Sequence, residues 1–251
     1  MKITILTIFP QFFDSPLKQS LLNKAIENRT LEIELIDIRD YTSDKHRTVD
    51  DTPFGGGGGM VMKIEPLHAC LSDVVKTPVS VNRKVILTSA AGKKFDQDCA
   101  IKYSLLDQLI IVCGRYKGVD DRINRFFDIE EVSIGDYIIN GGETAALAIM
   151  EAVFRLIPGA IGAIESALSD SFSEELLGAP VWTRPSEYLG EKVPQVLVEG
   201  DHARQRQFRR WAELRRTIEH RPDLLWHSEL SDDDRRMMQH IASGKEFDNC
   251  F

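Results

Sequence analysis

Ser133-Ile134-Gly135-Asp136-Tyr137-Ile138-Ile139-Asn140-Gly141-Gly142-Glu143 is the stretch on which the reading of this chain turns. A short β-branched and apolar run breaks into paired glycines just before a strongly helical segment. That is the form of a strand that leaves a sheet and enters a helix. Glycine at such a joint carries no Cβ, so backbone amides and carbonyls can come close to a ligand. An ordinary strand–turn–helix joint has the same appearance, and the rest of the chain has to separate the two.

Short apolar or β-branched runs at 2–9, 31–38, 84–89, 109–113 and 129–135 read as strands. Helical stretches alternate with them at about 15–27, 65–76, 96–105 and 118–127. This alternation predicts an α/β domain with a mostly parallel sheet. A further helix, 142–157, carries Ala146, Ile149, Met150, Val153 and Ile157 at helical spacing, and Pro158-Gly159 stops it. The small-residue stretch that follows reads as a linker. Beyond it lie an extended segment with Pro180, Pro185 and Pro194 and then helices to the C-terminus. The expected division is a domain over 1–159, a linker over 160–172 and a smaller, mostly helical domain over 173–251.

With 251 residues, 43% hydrophobic and 28% charged, the composition is that of a soluble globular protein. The opening Met1–Phe9 has one basic residue and no small-residue cleavage pattern, so it reads as a buried first strand rather than a leader. No run approaches the roughly 18 apolar residues of a membrane span. Cys70, Cys99, Cys113 and Cys250 lack C-x-x-C spacing, which argues against zinc and against a disulfide framework. A reduced, cytoplasmic protein is expected.

The net charge of −8 argues against nucleic acid only on average, because local clusters can outweigh it. Between Asp201 and Arg221 stand Arg204, Arg206, Arg209, Arg210, Arg215, Arg216 and Arg221, with no lysine. Phe208, Trp211, Leu214 and Ile218 share one helical face, and Arg206, Arg209, Arg210 and Arg216 fall mostly on the other. A solvated face would look similar, but an arginine-only set favours phosphate contact.

Common nucleotide signatures are absent. Gly55 to Gly59 cannot complete G-x-G-x-x-G, because Met60 holds the sixth position, and Gly92-Lys93-Lys94 lacks the upstream glycine and the hydroxyl of a P-loop. Three loops at strand ends, 87–92, 114–118 and 134–142, are instead expected to converge on one pocket, since α/β sheets bind ligands beyond the C-terminal ends of their strands.

Several motifs in order carry a family resemblance: His46-Arg47-Thr48-Val49-Asp50-Asp51-Thr52-Pro53-Phe54 before Gly55–Gly59, Ile111-Val112-Cys113-Gly114-Arg115-Tyr116-Lys117-Gly118-Val119-Asp120, and the 133–143 stretch. Arg155-Leu156-Ile157-Pro158-Gly159, Asp170-Ser171-Phe172, Tyr188-Leu189 and the Pro194 segment continue it. The chain resembles the bacterial tRNA (guanine-N1)-methyltransferases, the TrmD family of the trefoil-knotted SPOUT class.

The resemblance implies a knot that holds S-adenosylmethionine in a bent shape. Its adenine and ribose would meet backbone groups of Gly114 and of Ile134, Gly135, Asp136, Tyr137, Ile138 and Ile139. Leu87, Thr88, Ser89, Tyr116, Gly141 and Gly142 would complete that site. It places Gly55–Gly59 beside the substrate nucleotide and Asp50 and Arg115 on the RNA, with Arg206, Arg209 and Arg210 as further RNA contacts. Arg155 would reach the reacting guanine and Asp170 would be the general base for methylation of N1 of guanosine 37 in tRNA. On the residues alone, Arg155 also reads as a solvated partner of Glu151, and Asp170 as a helix cap or a solvated linker carboxylate. The family further implies a homodimer with the pocket at the subunit interface, Asp170 arriving from the partner, and Mg²⁺ at a site that no ligand cluster in the sequence locates.

Three positions depart from the family pattern: Lys117 where an acidic residue is usual, and Ala145 and Gly58 where proline is common. The Lys117 departure keeps open a non-catalytic tRNA-binding protein with the same fold. A dinucleotide-dependent oxidoreductase is disfavoured by the missing glycine fingerprint.

Overall fold

The computed structural model describes residues 1–76, 82–160, 170–172 and 174–247, in two compact units, Met1–Ile164 and Glu165–Phe251. Most of the expected linker, 161–169, lies outside the described residues.

The first unit is built on five parallel strands, β1 (Lys2–Thr7), β2 (Glu32–Asp37), β5 (Arg83–Lys94), β6 (Gln108–Cys113) and β7 (Ile129–Ser133), in the order β2-β1-β6-β5-β7. The two-residue strands β3 (Asp50–Asp51) and β4 (Val61–Met62) pair separately as an antiparallel ribbon. All six residues of β6 are buried, as expected of a central parallel strand covered on both faces. Its side chains alternate between two cores. Leu109, Ile111 and Cys113 pack with Ile3, Ile5 and Ile86, and with Ala146, Ile149, Met150 and Val153 of α4 (Glu143–Phe154). Ile110 and Val112 pack on the opposite face with Leu6, Val85 and Leu87, and with Leu67, Cys70 and Leu71 of α2 (Ile64–Lys76). α1 (Ser20–Glu27) and α3 (Gln97–Ser104) join the first of these layers through Leu22, Ala25, Cys99, Ala100 and Tyr103.

The sequence expectation needs correction at four joints. The stretch 15–27 is a 3₁₀ turn at Pro16–Lys18 followed by α1, and 118–127 holds only a 3₁₀ turn at Asp121–Arg125, with Asp120 accepting from Arg122 N as its cap. The helix expected over 142–157 ends at Phe154, leaving Arg155 as its C-cap. The strand expected to end at Ser89 continues to Lys94: Thr88 and Lys93 both align with Val132, so 89–92 form an excursion within β5. Gly92 closes that excursion against the backbone of Glu131 and Val132, where a Cβ would have no room.

In the second unit α5 (His202–His220) starts at Asp201, whose carboxylate accepts from Ala203 N and Arg204 N at 3.0 Å each. α6 (Asp232–Ala242) starts with a reciprocal cap between Ser231 and Asp234. Phe208, Trp211, Ala212 and Leu214 of α5 pack with Met237, Leu176, Val196 and Phe247. The apolar face expected from the sequence is the packed one, except that Thr217 is fully buried and Ile218 only half-buried. Thr217 fits there because its hydroxyl is satisfied: it donates to Glu213 O and accepts from Leu177 N.

Candidate functional site

The strand ends bring three loops together. Gly142 N donates to Gly114 O at 2.8 Å, Arg115 and Gly141 form an antiparallel bridge, and Thr88 Oγ1 accepts from Gly114 N at 3.1 Å while donating to Val112 O. A Cβ on Gly142 would run into Thr88 Oγ1 and would stand 2.8 Å from Gly114 N and 2.9 Å from Cys113 Cα. Gly142 has an ordinary helical φ of −74°, so it is glycine for want of space.

Around this junction is a cavity of about 510 Å³. Leu87, Thr88, Ser89, Gly114, Tyr116, Ile134, Gly135, Tyr137, Ile138, Ile139, Gly141 and Gly142 all line it. Asp136 does not; it is exposed at the surface of the same loop. The excursion supplies two further wall residues, Ala90 and Ala91, and the 121–125 turn supplies Asp121 and Asn124. Ala90 and Ala91 fall in the 87–92 loop expected at the pocket, whereas sequence patterning does not reveal Asp121 and Asn124, because 118–127 has the look of a helix. Ser133 Oγ donates to Gly135 O and accepts from Gly135 N, holding that glycine at φ +150°. Cys113, beside the wall residue Gly114, is fully buried, and burial, then the charge of Glu143, push its thiol well above its ordinary value.

Arg115 also lines the cavity, but its guanidinium is held by the protein itself. Nη1 donates to Asn140 O at 3.3 Å, Nε lies 3.5 Å from Glu143 Oε2, and Cζ sits 4.4 Å from the centre of the Phe9 ring. Glu143 is only 2% exposed and takes a 2.8 Å hydrogen bond from Thr7 Oγ1.

The glycine run 55–59 closes the β3–β4 ribbon, and the ribbon is moored to the cavity loop by Met62 N to Gly118 O, Lys117 N to Met60 O and Asp120 N to Met62 O, each 3.0 Å. Lys117, a wall residue of the cavity, lies along that run: a Cβ on Gly59 would be 3.1 Å from its Cε and one on Gly57 3.6 Å from its Nζ. Asp50 pairs with Met62 in the ribbon and does not line the cavity. Arg155 is exposed at the end of α4 and is likewise absent from the wall.

The remaining candidates belong to the second unit. Asp170 is exposed. On α5, Arg206 and Arg209 are exposed and have no ion-pair partner among the described residues. Arg210 differs. It donates to Asp234 through Nε and Nη2 at 2.8 and 3.0 Å and to Glu174 at 2.9 Å, so its fork is filled inside the unit. Among the described residues no group of three or more His, Cys, Asp or Glu could hold a metal ion, and no helix is long and apolar enough to cross a membrane.

Comparison with known proteins agrees with this geometry. The family model for tRNA (Guanine-1)-methyltransferase TrmD matches residues 1–227. A tRNA (guanine-N(1)-)-methyltransferase of Sulfurihydrogenibium sp. (strain YO3AOP1) is 47% identical over 249 residues, covering 99% of this chain and 97% of the relative. The proteins of the same name from Persephonella marina and Geobacter sulfurreducens are 45% and 48% identical, covering 99% and 94% of this chain and 97% and 95% of theirs. With a match of this extent, the chain belongs to the TrmD family of tRNA (guanine-1)-methyltransferases.

Proposed function

We propose that this chain transfers a methyl group from S-adenosylmethionine to N1 of guanosine 37 in tRNA. It would act as a cytoplasmic homodimer whose β5–β7 region carries the trefoil knot of the family. The observation that carries the reading is the convergence of three strand-end loops on one cavity in a chain of this family. The cavity's volume falls within the roughly 300–1,000 Å³ usual for small-molecule sites. Its wall of glycines and backbone groups suits a ligand whose adenine edge needs close hydrogen bonds. Gly114 and the 134–139 loop would hold the adenine and ribose, and Leu87, Thr88 and Ser89 would close the opposite side. When bound, the sulfonium supplies an already activated methyl, so orientation in line with the acceptor is the protein's main contribution there.

The acceptor needs more help. N1 carries a proton at neutral pH, and Asp170, reaching the pocket from the partner subunit, would take it. The methyl–sulfur bond then breaks as the methyl–nitrogen bond forms. Loss of the proton moves negative charge toward O6, where Arg155 would stabilise it. A general base in this role contributes about 10²–10⁴ in rate. The second unit would bind tRNA through Arg206 and Arg209. Mg²⁺, which the family implies, is assigned to no residues.

Incubation with labelled S-adenosylmethionine and a tRNA transcript bearing guanosine at position 37, followed by mapping of the modified base, tests the reading. Label at N1 of guanosine 37, reduced about 10²-fold or more in single turnover by Asp170→Asn and partly recovered at higher pH, is the expected result. Binding of both ligands without methylation would instead support the non-catalytic reading that the Lys117 departure keeps open.

A further inference from the structure

The cavity wall contains an ion pair that the reaction above leaves without a task. Glu143 is the first residue of α4 and is 2% exposed, and one of its oxygens is satisfied by the Thr7 hydroxyl. The other faces Arg115 Nε at 3.5 Å, an ion-pair separation longer than a hydrogen bond, and that Nε is buried with no hydrogen-bond partner. The same guanidinium reaches across to Asn140 O and rests on the Phe9 ring, while the Arg115 backbone bridges to Gly141. Thr7 Oγ1 accepts from Phe9 N at 3.0 Å, so the residue that anchors the carboxylate also fixes the backbone beneath the arginine. At Gly141 a Cβ would come within 2.5 Å of both Arg115 Nε and Glu143 Oε2. Sequence and space are arranged around this pair, and it ties the 114–118 loop to the 140–142 loop.

We propose that Arg115 and Glu143 form a buried latch that holds the two loops of the donor cavity together. Glu143 is a positioning residue that acts through Arg115. The inference rests on the cavity being the methyl-donor site. It gives Arg115 a task inside the protein in place of RNA contact. A buried pair of this kind is sensitive to loss of one partner, because the remaining charge is left uncompensated, whereas removing both charges leaves no such defect.

The test compares Glu143→Gln, Arg115→Gln and the double variant by calorimetric titration with S-adenosylmethionine, with thermal melting to confirm folding. tRNA affinity is measured across a salt series. Each single change should weaken donor binding about 10-fold, within the range that touching pairs show in such cycles. Adding Glu143→Gln to Arg115→Gln should cost nothing further. The slope of tRNA affinity against salt should stay at its wild-type value in all three. Wild-type donor affinity in a folded Glu143→Gln protein would overturn the latch, as would strictly additive losses. So would a salt slope lowered by about one in Arg115→Gln with donor binding intact, since that marks an arginine that meets a phosphate. If Glu143→Gln does not fold, the charge-balanced double variant carries the test: donor affinity matching Arg115→Gln supports the latch, and a much weaker one refutes it. Failure of the wild-type protein to bind donor would remove the cavity assignment itself, and so stays distinct from failure of the latch.

Discussion

One glycine cluster lines the cavity and another lies along its wall residue Lys117, and they are glycine for opposite reasons. In the run Gly55–Gly59, four residues have φ between +80° and +96°, and nothing stands within 4 Å of a Cβ built on Gly55, Gly56 or Gly58. That loop needs glycine for its backbone conformation and has space to spare. The pair Gly141–Gly142 has the reverse character: a Cβ on Gly142 would strike backbone and side-chain atoms of two other strands at an ordinary φ. One loop is free to accommodate a ligand that arrives. The other is already closed, and its closure builds the wall.

The same division separates the arginines of α5. Arg210 is embedded in a network with Asp234 and Glu174, whereas Arg206 and Arg209, on the same helix, project into solvent. Residues that are alike in a sequence thus split into those consumed by packing and those left available.

The largest effect that could break this comparison is at Asp234. Burial alone would raise its carboxyl, but hydrogen bonds from Arg210 and from Ser231 hold it below its usual value. Asp234→Ala should cost about 3 kcal/mol, because it removes the buried carboxylate partner of Arg210, leaving only the more exposed Glu174 and Glu213, and breaks the reciprocal cap with Ser231. With the folded-state value depressed, the wild-type contribution is full above the ordinary aspartate range and is lost as pH falls through the lowered value. Denaturant titrations from pH 7 down to about 3 should therefore show an acid-side decline that Asp234→Ala flattens. Gly142→Ala comes next, with about 2 kcal/mol lost to overpacking of a junction that has no slack. Gly56→Ala should cost about 1 kcal/mol, the conformational penalty of a left-handed backbone without any clash. Replacing Arg206 and Arg209 together by alanine should change stability by no more than about 0.5 kcal/mol. It should lower the salt slope of tRNA binding by about one unit for each phosphate no longer neutralised. An unchanged slope would return both residues to the role of a solvated face.

Much of this arrangement is legible in the sequence. The parallel sheet follows from alternating strand and helix patterns, and the convergence of the loops follows from their places at strand ends. What periodicity cannot convey is the interior of those loops. The excursion at 89–92 looks like a strand end, since a run of small residues gives no sign that Lys93 and Lys94 return to the sheet. The 118–127 segment has helical spacing, but Asp120 caps only a single 3₁₀ turn. Arg115 and Arg210 have the look of RNA-binding residues because their charge is visible in the sequence while their partners, Glu143 and Asp234, are 28 and 24 positions away. A carboxylate that distant becomes a neighbour only through tertiary structure.

The most direct test of the account sets Gly141→Ala beside Gly56→Ala in calorimetric titrations with S-adenosylmethionine. The nearest atoms to an added methyl at 141 are side-chain atoms of Arg115 and Glu143 and no backbone of another strand, so that variant should remain folded. It should lose donor affinity by about 10-fold or more, the size expected when touching groups are uncoupled. Gly56→Ala should bind donor as the wild type does. A folded Gly141→Ala protein with wild-type affinity, or an equal loss from Gly56→Ala, would contradict the claim that the closed glycine pair forms the donor site.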